Sequence, residues 1–429
     1  DLGPQVDGPE FQLSTGKGRL MSPVRLVAVV WTAQVLGMLS ISTFAALLPS
    51  FISEWQLTNT QAGWISGVFF GGYTAAVPVL VSLTDRVDPR RIYLISTVLG
   101  GLAALGFALY AEGFWTAMLF RALAGIGIAG TYMPGLKALS DRIEGPSQPR
   151  AIAIYTSGFG IGTALSFLMT GEVAAWLDWH WAFGLAAAGS ALAFVIVALA
   201  LPKSEPHHLS APETDLLDFR PVLRNRSAMA YILCYMVHAW ELFVQRSWVV
   251  AFLVFAQARH GAEAWVLSPT VIATVMNLLG VWASITGNEL SMRFGRRRFI
   301  FLVMTASVVL CGFIGFTAGL PYALVVALCL VHGVTVSGES ASLTAGAVGT
   351  ATPGYRGATM ALHSTLGFAG GFIGPLAFGL VLDVAGGESV LGWGLAFASV
   401  AAVMAGGPLI LALLRPAELA GDGRAGAAR

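Results

Sequence analysis

Charge is scarce in this 429-residue chain: Asp, Glu, Lys and Arg make up only 11% of it. A water-soluble globular chain carries about 25%. With less than half of that, the chain cannot cover itself with polar surface, and lipid must form part of its solvent. The net charge of +1 provides no basic face, so no nucleic-acid partner is expected. Cysteine is rare as well. Cys234, Cys311 and Cys329 all lie in apolar stretches, where a free thiol behaves as a small hydrophobe. They form neither a disulfide framework nor a zinc spacing. No nucleophile–base motif, phosphate loop or metal-ligand set stands out, so neither an enzyme nor a cofactor is expected. No cleavable signal peptide is read. Residues 1–20 are polar and Gly-rich, Met21 resembles a natural start, and 1–23 is set aside as a tail.

Apolar residues are what the chain has in plenty, at 56% with a mean hydropathy of +0.74. A helix needs ~20 mostly apolar residues to cross a bilayer. With Gly, Pro and charge clusters as punctuation, twelve such segments are expected: 24–51, 62–83, 92–110, 115–138, 151–175, 181–201, 230–255, 269–290, 299–320, 322–348, 358–384 and 391–414. The runs are too long for barrel strands, and a helix satisfies its own backbone in lipid. An all-α membrane protein follows. With both termini in the cytoplasm, all but Arg121, Arg246 and Arg259 of the 24 Lys and Arg residues fall on the cytoplasmic side, as the positive-inside rule requires.

The polar stretch 202–227 separates six spans from six, giving bundles at 24–201 and 228–415 and a tail at 416–429. Two basic clusters take the same place in each half, between the second and third spans. One runs from Asp85-Arg86 to Arg90-Arg91, and the other from Glu289 through Arg293 to Arg296-Arg297-Arg298. A repeat in two halves is common among secondary transporters. With these clusters the chain resembles the major facilitator superfamily, whose loop motif reads roughly G-x-L-x-D-R-x-G-R-R. Val81 stands at the leading Gly. In the second copy Met292 stands at the Asp, with Glu289 nearby. Further resemblances are Arg121-x-x-x-Gly125-x-Gly127 in the fourth span and Asp178-Trp179-His180-Trp181-Ala182-Phe183 entering the sixth.

The resemblance implies two pseudo-symmetric six-helix bundles that rock to give alternating access. Spans one, four, seven and ten would line the cavity. Asp85, Arg86, Arg90, Glu289, Arg293 and Arg296 would form a charge clamp at the cytoplasmic helix ends. The fifth span reads Gly158-Phe159-Gly160-Ile161-Gly162 and lacks the Gly-Pro element frequent in proton antiporters of the family. That speaks against drug export.

Charged groups inside a membrane are costly and mark function by default. In the seventh span, Cys234, His238, Glu241 and Gln245 fall on one stripe, with Arg246 at its edge. Burial favours the neutral acid and a nearby imidazolium favours the charged one, so such a pair can exchange protons near neutral pH. Glu241 is the expected proton-coupling carboxylate with His238 as its partner. The alternative is an internal pair that only joins helices. In the tenth span His332 and Glu339 share a face. Glu339 is a second coupling candidate, or else a structural carboxylate bonded to Ser337, Ser340 or Ser342.

Arg121 and Tyr132 lie along one face of the fourth span. Arg121 and Arg246 both lie toward the periplasm and together can draw in an anion. The alternative for Arg121 is snorkelling to the interface. Arg121, Tyr132, Gln245, Arg246 and His332 are thus the expected substrate contacts.

Soft ligands, namely Cys234, Met236 and His238 with Met360 and His363, raise a copper reading. Met236 points about 160° away from Cys234, and no metal is assigned. Glycine pairs Gly158/Gly162, Gly367/Gly371 and Gly370/Gly374 mark close helix packing or sliding faces. Trp55, Trp115, Trp179, Trp265 and Trp393 fit an interfacial belt. The sum is a monomeric, proton-coupled symporter of a small polar or anionic solute in a bacterial inner membrane. Drug or metabolite efflux and copper import are the alternatives.

Overall fold

The computed structural model describes residues 22–84, 86–143, 148–203, 218–261, 265–419 and 422–423. Among them every regular element is a helix. The first six predicted spans appear as α1 (Pro23–Gly37), α2 (Thr43–Ala46) and α3 (Leu48–Glu54), then α4 (Asn59–Leu83), α5 (Pro89–Tyr110), α6 (Phe114–Ser140), α7 (Gln148–Trp176) and α8 (Trp179–Ala200). A short α9 (Arg220–Arg224) leads into α10 (Arg226–Arg259), α11 (Pro269–Phe294) and α12 (Arg296–Ile314). The chain ends through α13 (Tyr322–Gly338), α14 (Ser340–Gly349), α15 (Arg356–Val384), α16 (Val390–Met404) and α17 (Gly406–Leu414).

Among the described residues, eleven helical stretches are long and apolar enough to cross a membrane. The predicted first span is the exception, because it is three pieces rather than one helix. Its break falls at the polar cluster Ser40-Ile41-Ser42-Thr43, where hydroxyls compete for backbone partners. The Ser42 N–H donates to Ser166 Oγ (3.0 Å), and Thr43 Oγ1 donates to Leu39 O (3.1 Å). The tenth and twelfth predicted spans are also interrupted, at Glu339 and Ala405.

The punctuation of the sequence is physical. Asp88 caps α5 by accepting from Arg90 N, ahead of Pro89 at the first helical position. Asp178 accepts from His180 N and Trp181 N, Asn225 from Ala228 N, Ser268 from Val271 N and Ser389 from Gly392 N. Each cap supplies an acceptor for N–H groups that the first helical turn leaves without one.

Helices α1–α8 pack chiefly among themselves, as do α10–α17; the two groups meet along α4 against α15 and α7 against α11. Both seams start at the end opposite the termini. There, Asp383 near the end of α15 accepts from Asn59 N (3.1 Å), Asn59 Nδ2 (2.9 Å), Thr60 N (2.7 Å) and Thr60 Oγ1 (2.6 Å) at the start of α4. Deeper in, Trp64 packs on Phe372 and Tyr73 on Phe368. On the second seam, Thr274 Oγ1 donates to Ala164 O (3.3 Å).

The glycine pairs named from sequence work within each group. Gly367 and Gly371 face the Tyr235 and Phe243 rings of α10, and Gly158 and Gly162 face Trp31 and Met38. Across the seam the close approach belongs to Gly63 and Gly67. A Cβ there would strike the carbonyls of Pro375 and Phe372. The tryptophan belt also needs correction. Trp115 is exposed, but Trp393 is fully buried against Phe397, Phe252 and Trp248. Trp179 is buried too, with its Nε1 on the Glu54 carboxylate. Both pack inside the helix bundle because neighbouring aromatic rings enclose them.

Candidate functional site

Helix α10 is the most buried of the spans, and it carries the predicted polar stripe into the second group. His238 (0% exposed), Glu241 (1%) and Gln245 (7%) all face α13. The sequence expectation pairs Glu241 with His238; the structure does not. His238 Nδ1 meets Glu339 Oε1 at 3.1 Å, and Glu241 Oε1 meets His332 Nε2 at 2.9 Å. His332 Nδ1 meets Gln245 Nε2 at 3.2 Å. The reason is register. His238 and Gln245 stand seven residues apart on α10, and His332 and Glu339 stand seven apart on the antiparallel partner. Two helical turns face two helical turns, so each acid finds a histidine across the helix gap rather than along its own helix.

Ser307 Oγ on α12 donates to Glu241 Oε1 (2.9 Å) and lies 3.4 Å from Thr335 Oγ1. Glu339 lies at the α13–α14 break and bonds to His238, not to the serines considered from sequence. His238 Nε2, Glu241 Oε2 and Glu339 Oε2 are buried without a hydrogen-bond partner among the described residues. Such a group costs about 1–3 kcal/mol, so this cluster retains unused bonding capacity at its core.

The soft ligands proposed from sequence do not assemble. Cys234 Sγ donates to Gly407 O (3.5 Å), and His363 stacks on Tyr235 (3.8 Å between centroids). A different trio does converge. Ligand atoms of Glu241, Cys311 and His332 lie within 4.8 Å of one another. Cys311 was legible only as an apolar cysteine, since its partners sit on other helices.

A second feature lies between the two groups. A small cavity of about 20 Å³ is bounded by α2, α4, α6, α7 and α10. Arg121, Arg246, Ser66, Thr163 and Ser247 line it beside Phe70 and Phe243. Snorkelling does not describe Arg121, which is 3% exposed. Its Nη1 and Nη2 donate to Ser40 O (3.1 Å) and Ile41 O (3.3 Å), and its guanidinium lies 4.4 Å from the Phe69 ring centre. Gly125, one turn on, lets the Phe69 backbone come close, because a Cβ would strike its carbonyl. Arg246 is held through Nε by Asn277 Oδ1 (3.1 Å). Among the described residues, no carboxylate is within ion-pair reach of either arginine.

Not every predicted contact reaches this cavity. Gln245 and His332 belong to the His–Glu cluster. Tyr132 stacks on Tyr155 (5.9 Å), whose hydroxyl donates to Tyr132 O (2.8 Å).

The predicted charge clamp is only partly drawn together. Asp85 lies outside the described residues. Arg86, Glu289 and Arg293 are exposed. Arg90 Nη2 donates to Ala198 O (2.6 Å). Arg296 is 2% exposed, and its acid is not Glu289. Nε and Nη2 meet the Asp422 carboxylate at 2.9 and 3.2 Å, and Nη1 donates to Asn288 Oδ1 (3.0 Å). Glu418 accepts the Arg296 and Arg297 N–H groups. Glu289 projects outward on α11, whereas the segment after α17 folds back over the start of α12.

The sequence profile of the Major Facilitator Superfamily matches residues 30–287. The chain belongs to that superfamily. Human protein spinster homolog 1 is 25% identical over 261 residues, covering 57% of this chain and 49% of the relative. The niacin transporter NiaP of Acinetobacter baylyi is 23% identical over 190 residues, 44% of this chain and 43% of that protein. The chain spans about half the length of the curated relatives it matches. A bacterial homolog of the human lysosomal transporter spinster, inward-facing and unoccupied, superposes with a TM-score of 0.73 at 15% identity, over 95% of this chain and 98% of the other. The nucleoside transporter NupG gives 0.73 at 14%, over 92% and 99%. These likenesses establish the fold of this multi-pass membrane protein.

Proposed function

We propose that the protein is a secondary transporter that moves a small anionic solute by alternating access, coupled to proton symport, with two six-helix halves at 24–201 and 228–415. In this reading the three pieces α1–α3 act as the first of twelve spans. The termini face the cytoplasm of a bacterial inner membrane, and the working unit is a monomer. One observation supports it above the others: α10 carries both halves of the chemistry. Its His238 and Glu241 stand in the buried His–Glu cluster, while Arg246, one turn beyond, lines the cavity between the helix groups. A proton gained or lost at the cluster and an anion gained or lost at the cavity therefore act on the same helix. Glu241 with His332, and Glu339 with His238, are the proton-carrying pairs.

The test is a proteoliposome with an internal pH dye, loaded with wild type or Glu241→Gln and exposed to pooled organic anions. Anion-dependent acidification in wild type that is absent in a folded Glu241→Gln supports the coupling. Anion uptake with no proton movement in wild type refutes it.

Soft-metal import is a second reading, favoured by the Glu241–Cys311–His332 trio. Copper uptake that survives in Cys311→Ser disposes of it.

A further inference from the structure

We propose that Glu241, Cys311 and His332 form a binding site for a thiophilic divalent cation of the zinc type, and that an ion held there stops transport instead of being carried. The blocking role rests on the symport reading, in which Glu241 and His332 are one proton-carrying pair. The site itself does not.

The donor set is the first argument. The three side chains enter from α10, α12 and α13, and their ligand atoms all lie within 4.8 Å of one another. Zinc takes thiolate, imidazole nitrogen and carboxylate oxygen together, with bonds of about 2.0–2.3 Å, which puts neighbouring ligand atoms roughly 3.3–3.6 Å apart. Glu241 Oε1 and His332 Nε2 stand closer, at 2.9 Å, and have only to part slightly. Cys311 has to move in, and its Sγ is held only by a 3.4 Å contact with Phe397 O. A fourth donor is in place. Glu241 Oε2 is buried without a partner among the described residues, so the carboxylate can turn both oxygens to one ion.

The support behind His332 is the second argument. Gln245 Nε2 donates to its Nδ1, so the ring proton sits on Nε2 and faces Glu241. An ion at Nε2 needs the other tautomer. Turning the Gln245 amide presents its oxygen to Nδ1–H, the outer contact that orients most metal-bound histidines.

Charge selects the ion. With Glu241 ionised and His332 neutral, a divalent cation displaces the Cys311 thiol proton to solvent and forms a metal–sulfur bond, with no change of oxidation state. Two positive charges then meet one carboxylate and one thiolate, and the buried site is neutral. A monovalent soft ion would leave one negative charge uncompensated in an apolar interior.

Position decides between holding and carrying. All three helices belong to the second group, and none of the three side chains lines the cavity between the groups. The ion therefore lies off the solute's route. It ties three helices to one point, and one of them, α10, also carries Arg246.

Zn2+ and Cd2+ are the probes, added to tag-free, full-length protein in which Cys234 and Cys329 are replaced by alanine. Calorimetry should give one Zn2+ per chain, and Cd2+ should raise a thiolate charge-transfer absorption. Cys311→Ser should remove that absorption and weaken Zn2+ binding by at least about hundredfold, since one of two anionic ligands is lost. Gln245→Leu keeps every ligand and should weaken it by roughly tenfold to a hundredfold. His363→Gln, outside the trio, should bind as the parent does. Melting temperatures within a few degrees of the parent show that the variants are folded.

Equal Zn2+ affinity in the parent, Cys311→Ser and Gln245→Leu overturns the site, as does no binding at micromolar Zn2+. In proteoliposomes, Zn2+ should slow anion-dependent acidification in the parent, and the ratio of rates with and without Zn2+ should return to one in Cys311→Ser. Tight binding with unchanged acidification overturns the blocking role. Radiolabelled zinc that accumulates in the lumen through Cys311 overturns holding in favour of import. Binding is read without any solute, so a failure of the symport reading leaves the site standing, and a failure of the site leaves symport standing.

Discussion

Removing the Asp383 carboxylate should release the end of the bundle opposite the termini. Four hydrogen bonds converge on this one side chain, two on each oxygen, and all four come from the first two residues of α4. They join α15 to α4 across the seam, so they exist only while that end is closed. A hydrogen bond to a charged group is worth about 1.5–3 kcal/mol, and a carboxylate at a helix N-terminus adds about 0.3–1 kcal/mol. Asp383 is half-buried, and water will re-solvate the freed N–H groups, so the four bonds do not add in full. A net loss of about 2–4 kcal/mol for Asp383→Ala is the reasonable sum. At 1.4 kcal/mol per tenfold, the closed-to-open ratio falls by roughly thirtyfold to several hundredfold.

The assay places a cysteine at Ser66, which lines the cavity, in a background without Cys234, Cys311 and Cys329. Its labelling is then followed with a membrane-impermeant maleimide added on the face where α4 begins. Asp383→Ala should raise the labelling rate by at least tenfold. Asp383→Asn should give a smaller rise, and Thr60→Val, which removes one of the four bonds, the smallest. Labelling within twofold of the parent in Asp383→Ala would refute the clamp.

Other perturbations test the remaining contacts. Asp422→Asn or Arg296→Gln leaves one charge of a buried pair without its partner, at about 3–5 kcal/mol, so the melting temperature should fall by several degrees; an unchanged melting curve would show that the segment after α17 does not hold α12. Glu289→Gln, at an exposed site, should leave that temperature within error of wild type. Trp393→Ala opens a hole in a fully buried aromatic cluster and should lower stability by about 3–5 kcal/mol in chemical denaturation, a loss that an interfacial tryptophan would not give. Gly67→Leu on α4 should abolish transport while leaving each helix group folded, because its side chain would meet the Phe372 backbone across the seam; normal transport in a stable Gly67→Leu would show that this approach is not needed.

The spans were legible in the sequence because hydropathy is a local quantity: a run of apolar residues bounded by Asp88-Pro89 or Ser268-Pro269 states its own length and start. The break in the first span had a local signal, the cluster Ser40, Ser42 and Thr43, but a mean over ~20 residues smooths it away. Trp393 misled for a related reason. Proximity to a helix end suggests an interface, and only the neighbouring rings of Trp248, Phe252 and Phe397, none near it in sequence except Phe397, show that the end is covered. The acids on Arg296 were missed because Glu418 and Asp422 lay in a segment set aside as tail. Asp383 went unmarked because the end of a span reads as a simple connection to the next loop.

The candidate site shows the same limit at the level of pairing. Periodicity along α10 places His238, Glu241 and Gln245 on one face, and the structure keeps them there. It is silent about what that face meets. Reading a partner from the same helix made Glu241 and His238 a pair, since i,i+3 residues are neighbours on a helix surface. The decisive information was spacing on a second helix. Residues 332 and 339 repeat the seven-residue interval of 238 and 245 in the opposite chain direction. Two antiparallel helices with matched intervals bring 238 to 339 and 245 to 332 together. Glu241, a turn before Gln245, then reaches the same His332. In a bundle of alternating helices, polar residues at equal intervals on two spans of opposite direction are therefore better read as cross-helix pairs than as intrahelical ones. Here that rule replaces the expected Glu241–His238 pair with two cross-helix pairs, Glu241 with His332 and Glu339 with His238.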